Sequence, residues 1–134
     1  MNRTLPAGLP AQAHGLLRII SAYLFIQHGT TKLLGFPHQA MFDNLKLMSL
    51  PGVAGVLELV GGALLLLGLF TRPVAFVLSG MMAVAYFMAH ASKGFVLTPI
   101  LNRGELAIMF CFAFLFFAAA GPGAFSVDGA RASR

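Results

Sequence analysis

The sequence predicts an all-α fold, a transmembrane four-helix bundle in a single domain (1–134) with a short interfacial amphipathic helix between spans one and two. Of its 134 residues, 58% are hydrophobic and only 10% are charged, whereas soluble domains carry about 25% charged residues. Mean hydropathy is +0.85. The apolar residues fall into four runs, each near the ~20 residues that a helix needs to cross a bilayer core of roughly 30 Å. The predicted spans are 14–35, 52–70, 73–90 and 102–120.

Span one is the least apolar of the four. Arg18 lies near its entry, where a long side chain can reach the interface by snorkelling. Polar and aromatic residues recur at helical spacing on one face, which is unsuited to lipid and should point into the bundle. These residues are Ser21, Phe25, His28 and Lys32.

The connector after span one has its own apolar pattern. Met41, Phe42, Leu45 and Met48 follow helical spacing, with polar residues between them. The pattern predicts a short amphipathic helix in the plane of the membrane surface. Such a helix could serve as a lid or as a simple interfacial connector.

Span two contains a single ionisable residue, Glu58, about two turns from its start. A carboxylate at membrane depth costs on the order of 2.5–3.5 kcal/mol on insertion scales, so it should face a partner or water. Small residues also give this helix a surface that allows close approach of a neighbouring helix. They are Gly55, Gly61, Gly62 and Gly68.

Spans three and four are joined by a connector that reads as polar, ASKGFVLTPILNRG. Pro73 is well placed in the first turn of span three. Glu105 falls in the first turn of span four, where the positive end of the helix dipole favours an acid. The sequence then ends in a short tail with Asp128, Arg131 and Arg134.

Most ionisable groups of the spans fall at one end of the bundle. Glu58 lies about 9 Å below that surface. The other half is predicted to be dry, apart from Arg18 and Arg72 near the opposite interface. Two interpretations stay open: a polar, ligand-binding cup open on one side, or a cluster that only fixes helix packing. The candidate ligand-binding residues are His28, Lys32, Glu58, His90, Arg103 and Glu105.

Other classes of function find little support. The net charge is +5, but the basic residues are scattered singly, so nucleic acid is not an expected partner. The lone Cys111 excludes a CxxC redox pair. No metal site is expected, because the Glu-x-x-His pairs of a bundle site are missing. His28 and His90 leave a bis-His haem open as a minor alternative. No cleavable signal peptide is expected.

Several short motifs in this order and spacing resemble the DoxX family of small four-helix bacterial membrane proteins over nearly the whole chain. They are Arg18 with FIQHGTTKLLGF, the ELVGGALLLLGLFTRP stretch, HASKG, NRGE and the closing GPGAFSVD. The resemblance maps family positions onto Arg18, His28, Lys32, Glu58, Arg72, His90, Glu105 and Asp128.

The resemblance implies a multi-pass inner-membrane protein that belongs to a membrane oxidoreductase system, with quinone as the expected small ligand and no intrinsic cofactor. A soluble or membrane redox partner protein is then expected, because the chain has no redox centre of its own. A homo-oligomer stays open. The alternative is a non-enzymatic adaptor or small-molecule carrier. The distribution of Lys and Arg predicts, by a narrow margin, termini in the cytoplasm.

Overall fold

The computed structural model describes residues 8–134, and the structure is all-α, with no strand among those residues. A 3-10 turn, Ala40–Phe42, lies in the connector between the first two helices in chain order. The helix that begins at Thr71 continues beyond Ala85 through a π-helical turn (Tyr86–His90) and a 3-10 turn (Ala91–Lys93). The helices are α1 (Leu9–Leu33), α2 (Leu50–Leu67), α3 (Thr71–Ala85), α4 (Pro99–Asn102), α5 (Glu105–Ala120) and α6 (Val127–Ala132).

Among residues 8–134, three helical segments are long and apolar enough to cross a membrane: Leu9–Leu33, Leu50–Leu67 and Thr71–Lys93. The helix of the fourth predicted span, α5, has 16 residues and is therefore about 24 Å long. The predicted all-α membrane fold is confirmed.

The helices pack as two close pairs, α1 along α2 and α3 along α5. Phe25 of α1 joins the two pairs, with its ring edge-on to Phe114 at 4.8 Å and to Phe110 at 5.3 Å between centroids. The buried core around these rings is apolar, and most of the remaining large apolar side chains point outward, as expected where lipid is the solvent. The other core residues are Ala22, Leu65, Ala75, Leu78, Met82 and Phe117.

Glycines of α2 allow the close approach that the sequence predicts. A Cβ at Gly62 would lie 2.6 Å from Cγ1 of Ile26 on α1, and one at Gly61 would lie 2.9 Å from Leu78 on α3. Gly68 has a different use: it ends α2 in the left-handed region, with φ of 65°.

Three local expectations differ from the structure. The connector after α1 holds one 3-10 turn instead of an amphipathic α-helix, and its Asp43 bonds the ring of His38 at 2.7 Å. The last long helix begins at Glu105 and not at residue 102, because Arg103 adopts a positive φ and ends the short helix α4. The predicted C-terminal tail forms α6 and folds back on the bundle.

Candidate functional site

Lys32 and Glu58 form an ion pair between α1 and α2. The Nζ atom of Lys32 donates to Oε1 of Glu58 at 2.5 Å. Lys32 lies in the last turn of α1, and Glu58 lies two turns into the antiparallel α2, so the two side chains meet at the same depth. The sequence-based expectation that Glu58 must have a partner is met by Lys32.

The pair is strongly buried but only partly satisfied. The Glu58 side chain is 4% exposed and that of Lys32 is 15% exposed. The second carboxylate oxygen of Glu58, Oε2, is buried and has no hydrogen-bond partner among the described residues. An unpaired buried acceptor costs about 1–3 kcal/mol.

A pocket of about 250 Å³ lies beside Lys32, between the end of α1 and the connector of residues 34–49. Thr31 and Lys32 line it from α1, and Gln39, Phe42 and Asp43 line it from the connector. The Lys32 ammonium also lies 5.9 Å from the centroid of the Phe42 ring. A lysine has three N–H donors and Glu58 takes one of them, so Lys32 can serve the pocket and the pair together.

A second cavity of similar size is chemically different. It is a groove of about 270 Å³ between α2 and α3, near Gly61 and Leu78, and its walls are apolar. It offers an apolar molecule dispersion contacts, but its lining side chains supply no hydrogen bond. Its lining residues are Leu57, Val60, Gly61, Leu64, Pro73, Val74, Val77 and Leu78.

His28 lies one turn before Lys32 but takes no part in the ion pair. Its ring meets that of Phe110 on α5 edge-on at 5.9 Å, and the side chain is exposed. His28 therefore marks the seam between α1 and α5, on the same helix as Lys32.

His90 belongs to a separate polar group between α3 and α5. Its Nδ1 lies 3.1 Å from the carbonyl oxygen of Asn102, and its ring stacks near that of Tyr86. The Asn102 side chain is buried and donates to the Tyr86 hydroxyl at 3.2 Å. This group holds the end of α3 against the start of α5.

Arg103 and Glu105 are exposed, and neither forms an ion pair within residues 8–134. Of the six candidate residues, the structure joins Lys32 with Glu58 and places His90 in the Asn102 group. Ligand binding by any of the six stays a prediction.

At the opposite end of the bundle, the expectation that Arg18 snorkels to the surface is wrong. Its side chain is fully buried. All five N–H donors of the guanidinium bond backbone carbonyls, those of Leu65 and Leu66 at 2.5 and 2.8 Å and three in the C-terminal segment. The latter are Pro122 at 2.7 Å, Ala124 at 3.1 Å and Phe125 at 2.8 Å. The returning segment thus supplies the acceptors that water would otherwise supply.

Asp128 and Arg72 complete this end. The Asp128 carboxylate accepts the backbone N–H groups of Phe70 at 3.0 Å and Thr71 at 2.9 Å, and so caps the start of α3. Partial burial raises the pKa of Asp128, but these amide bonds outweigh it and leave the pKa below its ordinary value. Arg72 donates to the carbonyls of Ala118 and Ala119 at the end of α5.

The burial of Arg18, but not its partners, could have been inferred from the sequence. Arg18 shares the helical face of Ser21 and Phe25, which was predicted to point inward. An arginine on a buried face needs acceptors and not a route to the surface. The acceptors themselves lie more than 45 residues away in sequence, so no local pattern indicates them.

These features define a small all-α membrane protein with a buried ion pair near one end and, at the other end, the buried Arg18 bonded to five backbone carbonyls. A family model described as DoxX matches residues 14–91, and the chain belongs to this family.

Similar proteins cover most of the chain. An uncharacterised protein of Haemophilus influenzae is 50% identical over 119 residues, which cover 84% of this chain and 85% of that protein. Inner membrane protein YqjF of Escherichia coli is 30% identical over 115 residues, with 83% and 85% covered. No solved structure gives a significant match.

Proposed function

We propose that this protein is the membrane subunit of a bacterial inner-membrane oxidoreductase system and binds a quinone, or a similar small redox ligand, beside Lys32 and Glu58. The observation that carries the proposal is the unpaired Oε2 of a buried carboxylate, next to a lysine that lines a pocket. A soluble or membrane partner protein would exchange electrons with the ligand. The termini would lie in the cytoplasm, by a small excess of basic residues on that side.

The pocket suits the ring of a quinone by size and by chemistry. Ligand pockets for drug-sized molecules measure about 300–1,000 Å³, so about 250 Å³ fits a single substituted ring whose apolar tail remains in lipid. Quinone carbonyls are acceptors and need N–H or O–H donors. Lys32, the Thr31 hydroxyl and the Gln39 amide would supply these donors to the quinone, and Oε2 of the Glu58 carboxylate would accept the O–H of the quinol that forms on reduction. A bound quinone would supply two-electron redox chemistry.

The test is direct binding of a short-chain quinone analogue to the purified protein in nanodiscs. We expect wild type to bind, Glu58→Gln and Lys32→Gln to bind at least tenfold more weakly, and Lys46→Gln to match wild type. Lys46 is a matched control because it is an exposed lysine on the same connector. His28→Ala tests whether the α1–α5 seam belongs to the site. Equal binding by wild type, Glu58→Gln and Lys32→Gln would refute the proposal.

A specific observation favours the alternative, a non-enzymatic adaptor or carrier whose intramembrane charges fix helix packing. Arg18 is a buried charge whose hydrogen bonds all serve to hold segments together. The Lys32–Glu58 pair would then do the same for α1 and α2. Under this alternative, Glu58→Gln changes stability, and the wild-type protein shows no saturable binding of the analogue.

A further inference from the structure

Connector three, residues 94–104 between α3 and α5, exposes a continuous apolar surface. Leu97 is 94% exposed, and Phe95, Ile100 and Leu101 are each 60–69% exposed. Scattered apolar residues are normal on a protein surface, but a contiguous group of large ones marks an interaction site. The question is whether this surface meets lipid or protein.

The lengths of the neighbouring helices place this connector short of the level at which the helical segment Thr71–Lys93 ends. Arg72 in the first turn of α3 donates to carbonyls at the end of α5. The start of α3 and the end of α5 therefore lie at the same level, at the Arg18 end of the bundle. From there the helical segment Thr71–Lys93 runs about 34 Å, whereas α5 runs only about 24 Å. The start of α5 is therefore level with Tyr86, about 10 Å short of the end of its partner helix. Connector three fills that depth.

Backbone groups of connector three find hydrogen-bond partners within the protein and do not depend on water for them. Irregular backbone at membrane depth requires partners within the protein, because lipid supplies none. The Asn102 amide donates to the carbonyls of Gly94 at 3.4 Å and Phe95 at 3.2 Å. Its Oδ1 accepts the N–H of Gly104 at 2.8 Å, and the Tyr86 hydroxyl donates to Val96 at 2.7 Å.

Two exposed basic residues, Lys93 and Arg103, flank the apolar stretch. Long basic side chains at the edge of an apolar surface can reach lipid phosphates. We infer that connector three inserts into the lipid leaflet as a non-spanning loop, with Phe95, Leu97 and Ile100 among the acyl chains and the two basic residues at the phosphates. The inference does not depend on the proposed redox function.

The chain contains no tryptophan, so single tryptophans can report depth. The reporter variants are Leu97→Trp and Ile100→Trp, which change exposed side chains. Phe112→Trp, halfway along α5 and 63% exposed, reports the bilayer centre, and Ser133→Trp in the exposed C-terminal segment reports water. Each variant is placed in nanodiscs with lipids brominated near the carbonyls or near the chain ends, and each is also exposed to iodide.

We expect both reporters to emit at shorter wavelength than Ser133→Trp, to resist iodide, and to lose most fluorescence to the shallow bromines. Phe112→Trp should lose most to the deep bromines. Iodide quenching of both reporters at the level of Ser133→Trp would overturn the inference. Blue-shifted emission that neither bromine nor iodide quenches would also overturn it, because a second copy or another protein would then cover the surface.

Discussion

Removal of Lys32 alone should leave the Glu58 carboxylate buried without its cation. At an effective dielectric constant of about 20, two unit charges 2.5 Å apart attract by about 7 kcal/mol. Desolvation of the two ions consumes several kcal/mol each, so the intact pair contributes little net stability. Loss of one partner forfeits the attraction without returning the other ion to water, and such changes cost about 3–5 kcal/mol. For Lys32→Met we expect a loss of unfolding free energy at the lower end of this range, about 3 kcal/mol. The reason is that the Lys32 side chain lines the pocket and is 15% exposed, so the site is not fully closed.

The double variant Lys32→Met/Glu58→Gln should recover part of this loss, since no charge remains buried. The assay is thermal unfolding in detergent, followed with a thiol-reactive fluorophore on Cys111, the single cysteine, which is partly buried. Lys46→Met is the matched control and should unfold like wild type. A Lys32→Met variant that is no less stable than Lys46→Met, or a double variant that is less stable than Lys32→Met, would contradict this expectation.

Three further predictions concern the opposite end and the helix contacts. Arg18→Met should destabilise by about 3 kcal/mol or more, because it orphans five carbonyl contacts; Arg72→Met, at an exposed position, should cost less in the same thermal assay. Because folding lowers the pKa of Asp128, the contribution of Asp128 to the stability of the folded protein is complete above its unfolded pKa of about 3.9. This contribution is lost as pH falls through the lower folded pKa. Asp128→Asn should therefore remove this loss at acid pH from a pH series of unfolding midpoints. Gly62→Ala should destabilise by a Cβ clash with Ile26, whereas Gly80→Ala, with open space around it, should be neutral or slightly stabilising.

Composition and periodicity predict the helices well because bilayer thickness fixes their length. They also bring Lys32 to the depth of Glu58, but they do not single it out from the other basic residues at that end, and only the structure identifies it as the partner. An acid two turns into one span and a lysine in the last turn of the antiparallel span before it must lie at one depth. The close approach at Gly61 and Gly62 follows from the small-residue surface of α2.

The parts that the sequence did not predict depend on segments far apart in the chain. The sequence predicts an interfacial Arg18, because snorkelling is the ordinary behaviour of arginine near the end of a span. Its true partners appear only when the C-terminal segment folds back, and Asp128 reaches α3 by the same return. Connector three reads as polar by its flanking residues, and its depth follows only from the unequal lengths of α3 and α5.

Photoaffinity labelling tests the proposed site most directly, because the pocket beside Lys32 and the apolar groove between α2 and α3 are lined by different segments of the chain. An azido-quinone is activated in nanodiscs with wild-type protein, and labelled peptides are identified by mass spectrometry. Labelling within residues 31–45, lost in Glu58→Gln and retained in Lys46→Gln, is the predicted result. Labelling confined to the apolar groove of residues 57–78, unchanged in Glu58→Gln, would contradict a ligand site at Lys32 and Glu58.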